Sequence, residues 1–309
     1  MLDKTPVQTI WDVVVVGGGP AGMLAAGRAA ERGKSVLLVE KNPGLGKKLL
    51  ITGGGRCNVT NHKPDTRALL PKYKGAEPFL YSAFSQFGVE DTVQFFKKQG
   101  LELVEEAEGR MFPITHKARS VWDALVALCK KSGVAVETGT AVSGISKDKE
   151  SGLMLVTLAN NTRVHARSCI VATGGTSRPE TGSTREGFAW LKSLGHTVAP
   201  NNASLVPLAL YDAWAHKIAG VTLQDIKLTV YQDGIKQGMQ KGKILFTHVG
   251  ISGPTVLNMS KDIGELLQYG DVTIMLDLLP ALDYAMLKEK LQALLIAESN
   301  KKLKNALGM

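Results

Sequence analysis

Residues 11–22 read WDVVVVGGGPAG. Val13 to Val16 make a short, uninterrupted apolar run of the kind that forms a buried strand, and it ends in Gly17-x-Gly19-x-x-Gly22. An alanine-rich helical stretch follows, then a second strand, Ser35–Val39, closed by Glu40. This order of strand, glycine turn, helix, strand and acid predicts a Rossmann-type unit with a bound dinucleotide.

Each residue type has a physical role in that reading. Gly17 allows the tight turn out of the strand, Gly19 lets backbone approach a pyrophosphate, and Gly22 lets the helix pack closely on the sheet. Pro20 suits a first helical turn. Ala21, Ala25, Ala26, Ala29 and Ala30 keep the helix thin. Amides at the helix N-terminus then face phosphate, where the helix dipole favours negative charge. Glu40, eighteen residues beyond Gly22, can accept hydrogen bonds from ribose hydroxyls and repels a 2′-phosphate. The alternative is a structural βαβ unit without a ligand.

The chain has 309 residues, 44% of them hydrophobic, enough for a sizeable core and two domains. No apolar run reaches the roughly eighteen residues of a membrane span, and the N-terminus lacks the pattern of a secretory signal. Cys57, Cys129 and Cys169 are far apart and odd in number. They suggest neither a disulfide framework nor a zinc site, and a reducing cytoplasm is the expected location. The formal net charge is +9. Residues 1–200 hold 26 Lys and Arg against 18 Asp and Glu; residues 201–309 hold 11 against 10 and no arginine. The surplus on the first part can assist capture of an anionic cofactor or substrate. A nucleic-acid face is the less favoured reading, because the basic residues are scattered and not interleaved with aromatics.

Beyond Glu40 the sequence Lys41-Asn42-Pro43-Gly44-Leu45-Gly46-Lys47-Lys48 is a loop. Gly53-Gly54-Gly55-Arg56-Cys57-Asn58 is expected either against a ligand or as a flexible surface turn. Arg56 suits a phosphate or carboxylate. Residues 79–99 and 118–132 read as helices, 109–113 as a loop, and 134–138 as a strand. Residues 153–158 and 162–167 read as a hairpin turning at Asn160 and Asn161. Val142, just before it, is placed to touch an adenine. A second strand-into-glycine switch, Cys169-Ile170-Val171-Ala172-Thr173-Gly174-Gly175, suggests a sheet returning to the same elongated ligand. A polar, turn-rich stretch spans 176–186, and a short helix 187–194 ends at Gly195. From about Pro200 strand candidates dominate: 205–210, 221–231, 243–247 and 271–278, with a turn and loop over 234–242. This describes a β-rich, mostly antiparallel second domain. Residues 281–304 read as helical.

These segments, together with Thr181-Gly182-Ser183-Thr184 and Gly242-Lys243-Ile244-Leu245-Phe246-Thr247-His248-Val249-Gly250-Ile251-Ser252-Gly253-Pro254, resemble the bacterial flavoprotein family that includes aminoacetone oxidase and the BaiN-type bile-acid reductases. The resemblance covers nearly the whole chain. It implies an α/β fold: a Rossmann-like FAD-binding domain over 1–199, an inserted, mostly β substrate domain over 200–280, and the start of a helical segment over 281–309. Members of that family carry a later Gly-Glu and Gly-Gly-Tyr-Asn segment that closes over the flavin, and this sequence contains no such stretch. The resemblance places FAD on Gly17, Gly19, Pro20, Ala21, Gly22, Glu40, Lys41, Lys48, Gly54, Gly55, Arg56, Cys57, Asn58, Val142, Thr173, Gly174 and Gly175.

The function it implies is FAD-dependent oxidoreduction. Electrons would pass between a reductant or amine and a small organic acceptor or oxygen. Only one dinucleotide fingerprint is present, so NAD(P)H, if used, would bind transiently. The alternatives are a non-catalytic FAD- or nucleotide-binding chain, or a fragment of such an enzyme that depends on a partner chain, and flavin-dependent RNA modification. Cys57 reads either as a redox thiol or as a small residue packed under the glycine run. His248 is the candidate acid or base, with capping of the following helix as its other reading. Arg110 and Arg178 are candidates to hold an anionic group. No histidine spacing suggests a metal.

Overall fold

The valine run forms a strand whose alternation serves both faces of a sheet. The computed structural model describes residues 9–63, 65–73, 75–199 and 205–306, in two units, Met1–Val198 and Ala199–Met309.

In the first unit β1 (Ile10–Val16), α1 (Pro20–Glu31) and β2 (Val36–Glu40) follow as the glycine turn dictates. A long excursion comes next: β3 (Thr60–Asn61), α2 (Thr66–Leu69), α3 (Glu77–Gln86), α4 (Val89–Lys98), β4 (Leu103–Glu106), β5 (Arg110–Pro113) and α5 (Ala118–Lys131). The chain re-enters the main sheet at β6 (Ala135–Thr138), meanders through β7 (Val142–Lys147), β8 (Met154–Leu158) and β9 (Arg163–Val171), and continues to α6 (Glu186–Ser193).

The main sheet has the order β6-β2-β1-β9-β8-β7. β6, β2, β1 and β9 are parallel; β8 and β7 are antiparallel additions. From β1 the chain leaves to β2 on one side and returns as β9 on the other. That reversal opens a crevice at the carboxyl ends of the strands, where open α/β sheets bind ligands. Val15 and Leu38 pack with Met23 and Ala26 of α1 and Val121 and Leu125 of α5. Val14, Val16, Leu37 and Val39 face the other way, against Ile145, Val156 and Leu158. Two-sided burial explains why β1 and β2 read as unbroken apolar runs.

The second unit contains β10 (Leu208–Ala209), α7 (Ala213–His216), β11 (Thr222–Gln232), β12 (Ile235–Thr247), β13 (Gly250–Ser252), α8 (Pro254–Leu266), β14 (Val272–Asp277), α9 (Tyr284–Ala297) and α10 (Leu303–Ala306). Its sheet, β10-β13-β12-β11-β14, is antiparallel throughout. Ile226, Leu228, Val230, Phe246 and Ile251 cover one face together with Val256 and Ile263 of α8. The architecture is thus a Rossmann-like α/β domain with additional β-sheet and C-terminal helices. Among the described residues no helix is long and apolar enough to cross a membrane.

Several expected elements differ. The helix over 79–99 is two helices, because Gly88 takes an extended conformation and caps α4, where the Asp91 side chain accepts its N–H at 2.8 Å. The segment 109–113 is not a loop: Arg110–Pro113 is the central strand of a small sheet, β3-β5-β4. The hairpin's second arm and the strand into Gly174 are one continuous strand, β9, and Val142 begins β7 rather than lying in a connection. The loop over 234–242 is mostly strand, with the turn confined to Asp233 and Gly234, both at positive φ. The strand over 205–210 shrinks to Leu208–Ala209. The helical segment 281–304 breaks between α9 and α10. Pro200 lies outside the described residues.

Candidate functional site

Three chain segments meet at the carboxyl end of the parallel strands. Gly17, Gly19, Pro20 and Ala21 leave β1; Glu40, Lys41, Asn42, Gly46, Lys47 and Lys48 follow β2; Thr173 and Gly174 follow β9. With Thr140–Val142 and Thr181–Thr184 they line one cleft. Ten of the residues assigned to a cofactor from sequence therefore stand together: Gly17, Gly19, Pro20, Ala21, Glu40, Lys41, Lys48, Val142, Thr173 and Gly174.

The glycines of the first turn differ in what requires them. Gly17 has φ +109°, and a Cβ there would lie 2.6 Å from the Ala172 carbonyl oxygen. A Cβ on Gly22 would strike the Gly17 carbonyl oxygen. Both are demanded by the fold. A Cβ on Gly19 would meet nothing within 4 Å, and Gly19 has ordinary extended angles, φ −74° and ψ 179°. Among the described residues no internal contact demands glycine at position 19. The position opens into the cleft at the N-terminus of α1, where first-turn N–H groups lack helical partners. That arrangement fits a pyrophosphate.

Glu40 is buried, 8% exposed. One carboxylate oxygen accepts the Gly18 N–H at 2.7 Å; the other accepts the Asn42 backbone N–H at 2.8 Å and its side-chain amide at 2.6 Å. An ionised carboxylate has about four acceptor sites, so these three donors leave room for a ribose hydroxyl. Glu40 also holds the glycine turn itself. Glu40→Gln keeps the size but turns one acceptor into a donor facing N–H groups. It is expected to cost the free protein about 1–3 kcal/mol, measured by urea unfolding, before any ligand is added. An unfolding midpoint equal to wild type would contradict this role.

The lysines reach across to one polar segment. Lys41 Nζ donates to Thr184 Oγ1 at 2.8 Å, Lys47 Nζ to the Glu180 carbonyl at 2.8 Å, and Lys48 Nζ to the Ser177 carbonyl at 2.6 Å. Asn42 adds a bond to the Thr181 carbonyl at 3.1 Å. Burial pulls the Lys48 pKa down, against an opposing attraction to Glu180. Asn42 and Thr181–Thr184 are not among the residues the sequence assigned to a cofactor. Their signal is Gly182, at φ +99°, where a Cβ would sit 2.7 Å from the Asn42 amide nitrogen.

The second glycine run has another place. Gly22, Gly54, Gly55, Arg56, Cys57, Asn58 and Gly175 are not in the cleft lining. Gly53 and Gly54 adopt left-handed angles in a turn that folds Arg56 back onto the small sheet. There Arg56 pairs with Glu106 at 2.7 Å and lies over the Phe112 ring at 4.1 Å. Its charge is engaged internally. Cys57 belongs to the core shared by α1 and α5, and burial pushes its thiol pKa up. Burial pushes Cys129 and Cys169 up to about 11. A thiol with that pKa is about one-thousandth thiolate at pH 8. With Cys57 also buried, 4% exposed, iodoacetamide at pH 8 is expected to label the folded protein scarcely at all over a time that fully labels it in urea. Mass spectrometry reads the difference, and rapid labelling of Cys57 in the folded state would restore its reading as a reactive thiol.

Arg110 Nε donates to the Ala107 carbonyl at 3.0 Å, and Arg178 pairs with Glu180 at 3.6 Å. His248 is exposed in the turn between β12 and β13. It does not cap α8, whose N-cap is Gly253. Among the described residues no group of three or more His, Cys, Asp or Glu is placed to hold a metal ion.

Such a cleft on such a sheet defines a class: Rossmann-like nucleotide-binding proteins. More narrowly, the chain belongs to the HI0933-like protein Rossmann domain family, whose description matches residues 11–271, a bacterial family of FAD-dependent oxidoreductases. It is 31% identical to the ribosomal RNA dihydrouridine synthase of Escherichia coli (strain K12) over 97% of this chain and 70% of the relative. It is 31% identical to the 3-dehydro-bile acid delta(4,6)-reductase of Clostridium scindens over 89% of this chain and 66% of that protein. The chain thus spans about two thirds of these relatives' length. Among solved structures, the open conformation of a flavocytochrome c3 fumarate reductase aligns with a TM-score of 0.50 at 19% identity. That alignment covers 71% of this chain and 48% of that one, a likeness of fold.

Proposed function

We propose that this chain forms the FAD-binding part of a reductase that saturates a carbon–carbon double bond next to a carbonyl group. The observation that carries the FAD site is the cleft at the strand switch, where Gly19 opens onto empty space at a helix N-terminus; the double-bond chemistry is taken from the relatives' names. Gly19 and the first turn of α1 would hold the pyrophosphate, and Glu40 the adenosine ribose. Lys41, Lys47 and Lys48 raise the positive potential around the phosphates. FAD, when bound there, would supply hydride-transfer chemistry between a reduced nicotinamide and the double bond. One relative is named a dihydrouridine synthase and the other a delta(4,6)-reductase, and both names fit a reduction of a double bond.

The substrate in this reading is a small conjugated carbonyl compound. A uracil ring within RNA is the second reading, favoured by the basic surplus of residues 1–200 and by the extent of the match to the ribosomal RNA enzyme. Anaerobic stopped-flow mixing of the FAD-loaded protein with NADH and NADPH tests the reductase. Bleaching of the flavin band by either supports it. Bleaching by neither, with reduction by a primary amine, would replace it with an oxidase. Nucleoside analysis of RNA from a deletion strain separates the substrates: loss of one dihydrouridine favours RNA, and an unchanged profile favours the small molecule.

A further inference from the structure

We infer that Trp122, which lies outside the cleft lining, is a positioning residue that holds the phosphate-facing turn in register. The inference rests on the reading of the cleft as the FAD site. Trp122 projects from α5, and its indole N–H donates to the Leu45 carbonyl at 2.8 Å. The N–H of Gly46 donates to the Gly18 carbonyl at 2.9 Å. The Leu45 carbonyl and the Gly46 N–H belong to one peptide group. A single peptide plane therefore links the indole to the glycine turn, and each bond polarises the other.

Packing fixes the same plane. Gly46 has φ +68°, and a Cβ there would lie 2.6 Å from Trp122 Cδ1, so the indole edge rests directly on its backbone. The Leu45 side chain fills the space over Gly18. The Arg119 guanidinium stacks over the indole face, 3.9 Å from the ring centroid. Rotation of this plane would shift Gly18 and Gly19, and with them the start of Lys47 and Lys48. No catalytic role follows for Trp122, because it reaches the cleft only through Leu45 and Gly46.

Trp122→Phe keeps a ring over Gly46 and removes the donor. It is expected to weaken FAD binding about tenfold by calorimetry, with the FAD-free protein still folded and its melting temperature lowered by only a few degrees. Arg119→Met, an exposed change, is expected to weaken binding about twofold to threefold. The discriminating readout is hydrogen exchange at the Trp122 indole N–H, assigned by its loss in Trp122→Phe and measured relative to the Trp11 and Trp214 indoles, which FAD protects only through global stability. FAD is expected to slow that exchange at least tenfold in the wild type. If wild type binds no FAD, the reading of the cleft fails. If wild type binds FAD, but Trp122→Phe binds equally well or indole exchange ignores the ligand, this inference alone is overturned. A Trp122→Phe protein that melts much lower would show a role in folding instead, and likewise overturn it.

Discussion

Gly19→Val cuts FAD affinity by orders of magnitude in a protein that still folds: this is the largest effect expected on the ligand. The two halves come from the same observation. A Cβ at position 19 meets no protein atom within 4 Å, and the backbone there is extended, a region valine prefers. Folding has no reason to suffer. The branched side chain instead projects into the space where the pyrophosphate must approach the backbone. Loss of those contacts is expected to lower affinity about a thousandfold, near 4 kcal/mol. Far-ultraviolet circular dichroism checks the fold, and calorimetric titration checks the affinity. Glu40→Gln should weaken binding less, but it destabilises the free protein, which Gly19→Val should not.

Gly22→Ala is the complementary case and the largest expected effect on folding. Its single added methyl lands on the Gly17 carbonyl oxygen, with the Ala172 side chain 3.4 Å away. Both neighbours lie on backbone that cannot swing aside: Gly17 donates its N–H to the Val39 carbonyl at 2.8 Å, and Ala172 donates to the Val16 carbonyl at 2.8 Å. To relieve the clash α1 must lift from β1. That opens the contacts of Met23 and Ala26 with the core. Overpacking of this kind costs about 1–3 kcal/mol, and more where backbone is the obstacle. Urea unfolding is expected to show the loss without FAD present. A free protein as stable as wild type would mean that α1 sits farther from the sheet than 17–22 imply.

The first turn was the most legible part of the chain, because its chemistry is local. Val13–Val16, the three glycines and Glu40 lie within thirty residues of one another, and each constraint there is set by neighbours. The return of the sheet through Ala172–Gly174 was legible for the same reason. The Gly53–Asn58 run was not. Three glycines announce an unusual backbone, yet the sequence does not say whether a ligand or the protein's own side chains occupy the space beside it. Here Phe112 and Glu106, some fifty residues away, capture Arg56. Asn42 and Trp122 were hidden similarly. Their roles depend on segments meeting across the fold: Asn42 with Thr181, Trp122 with Leu45. The missed break at Gly88 shows the limit of periodicity, since apolar spacing continues smoothly across a capping glycine.

The most direct test of the account is an FAD titration of the purified chain alongside Gly19→Val, followed by flavin absorbance and fluorescence. One FAD per wild-type chain is expected, with shifted absorbance bands, and an affinity about a thousandfold lower in a folded Gly19→Val protein. Wild-type affinity in the folded variant, or no saturable binding by the wild type, would contradict it.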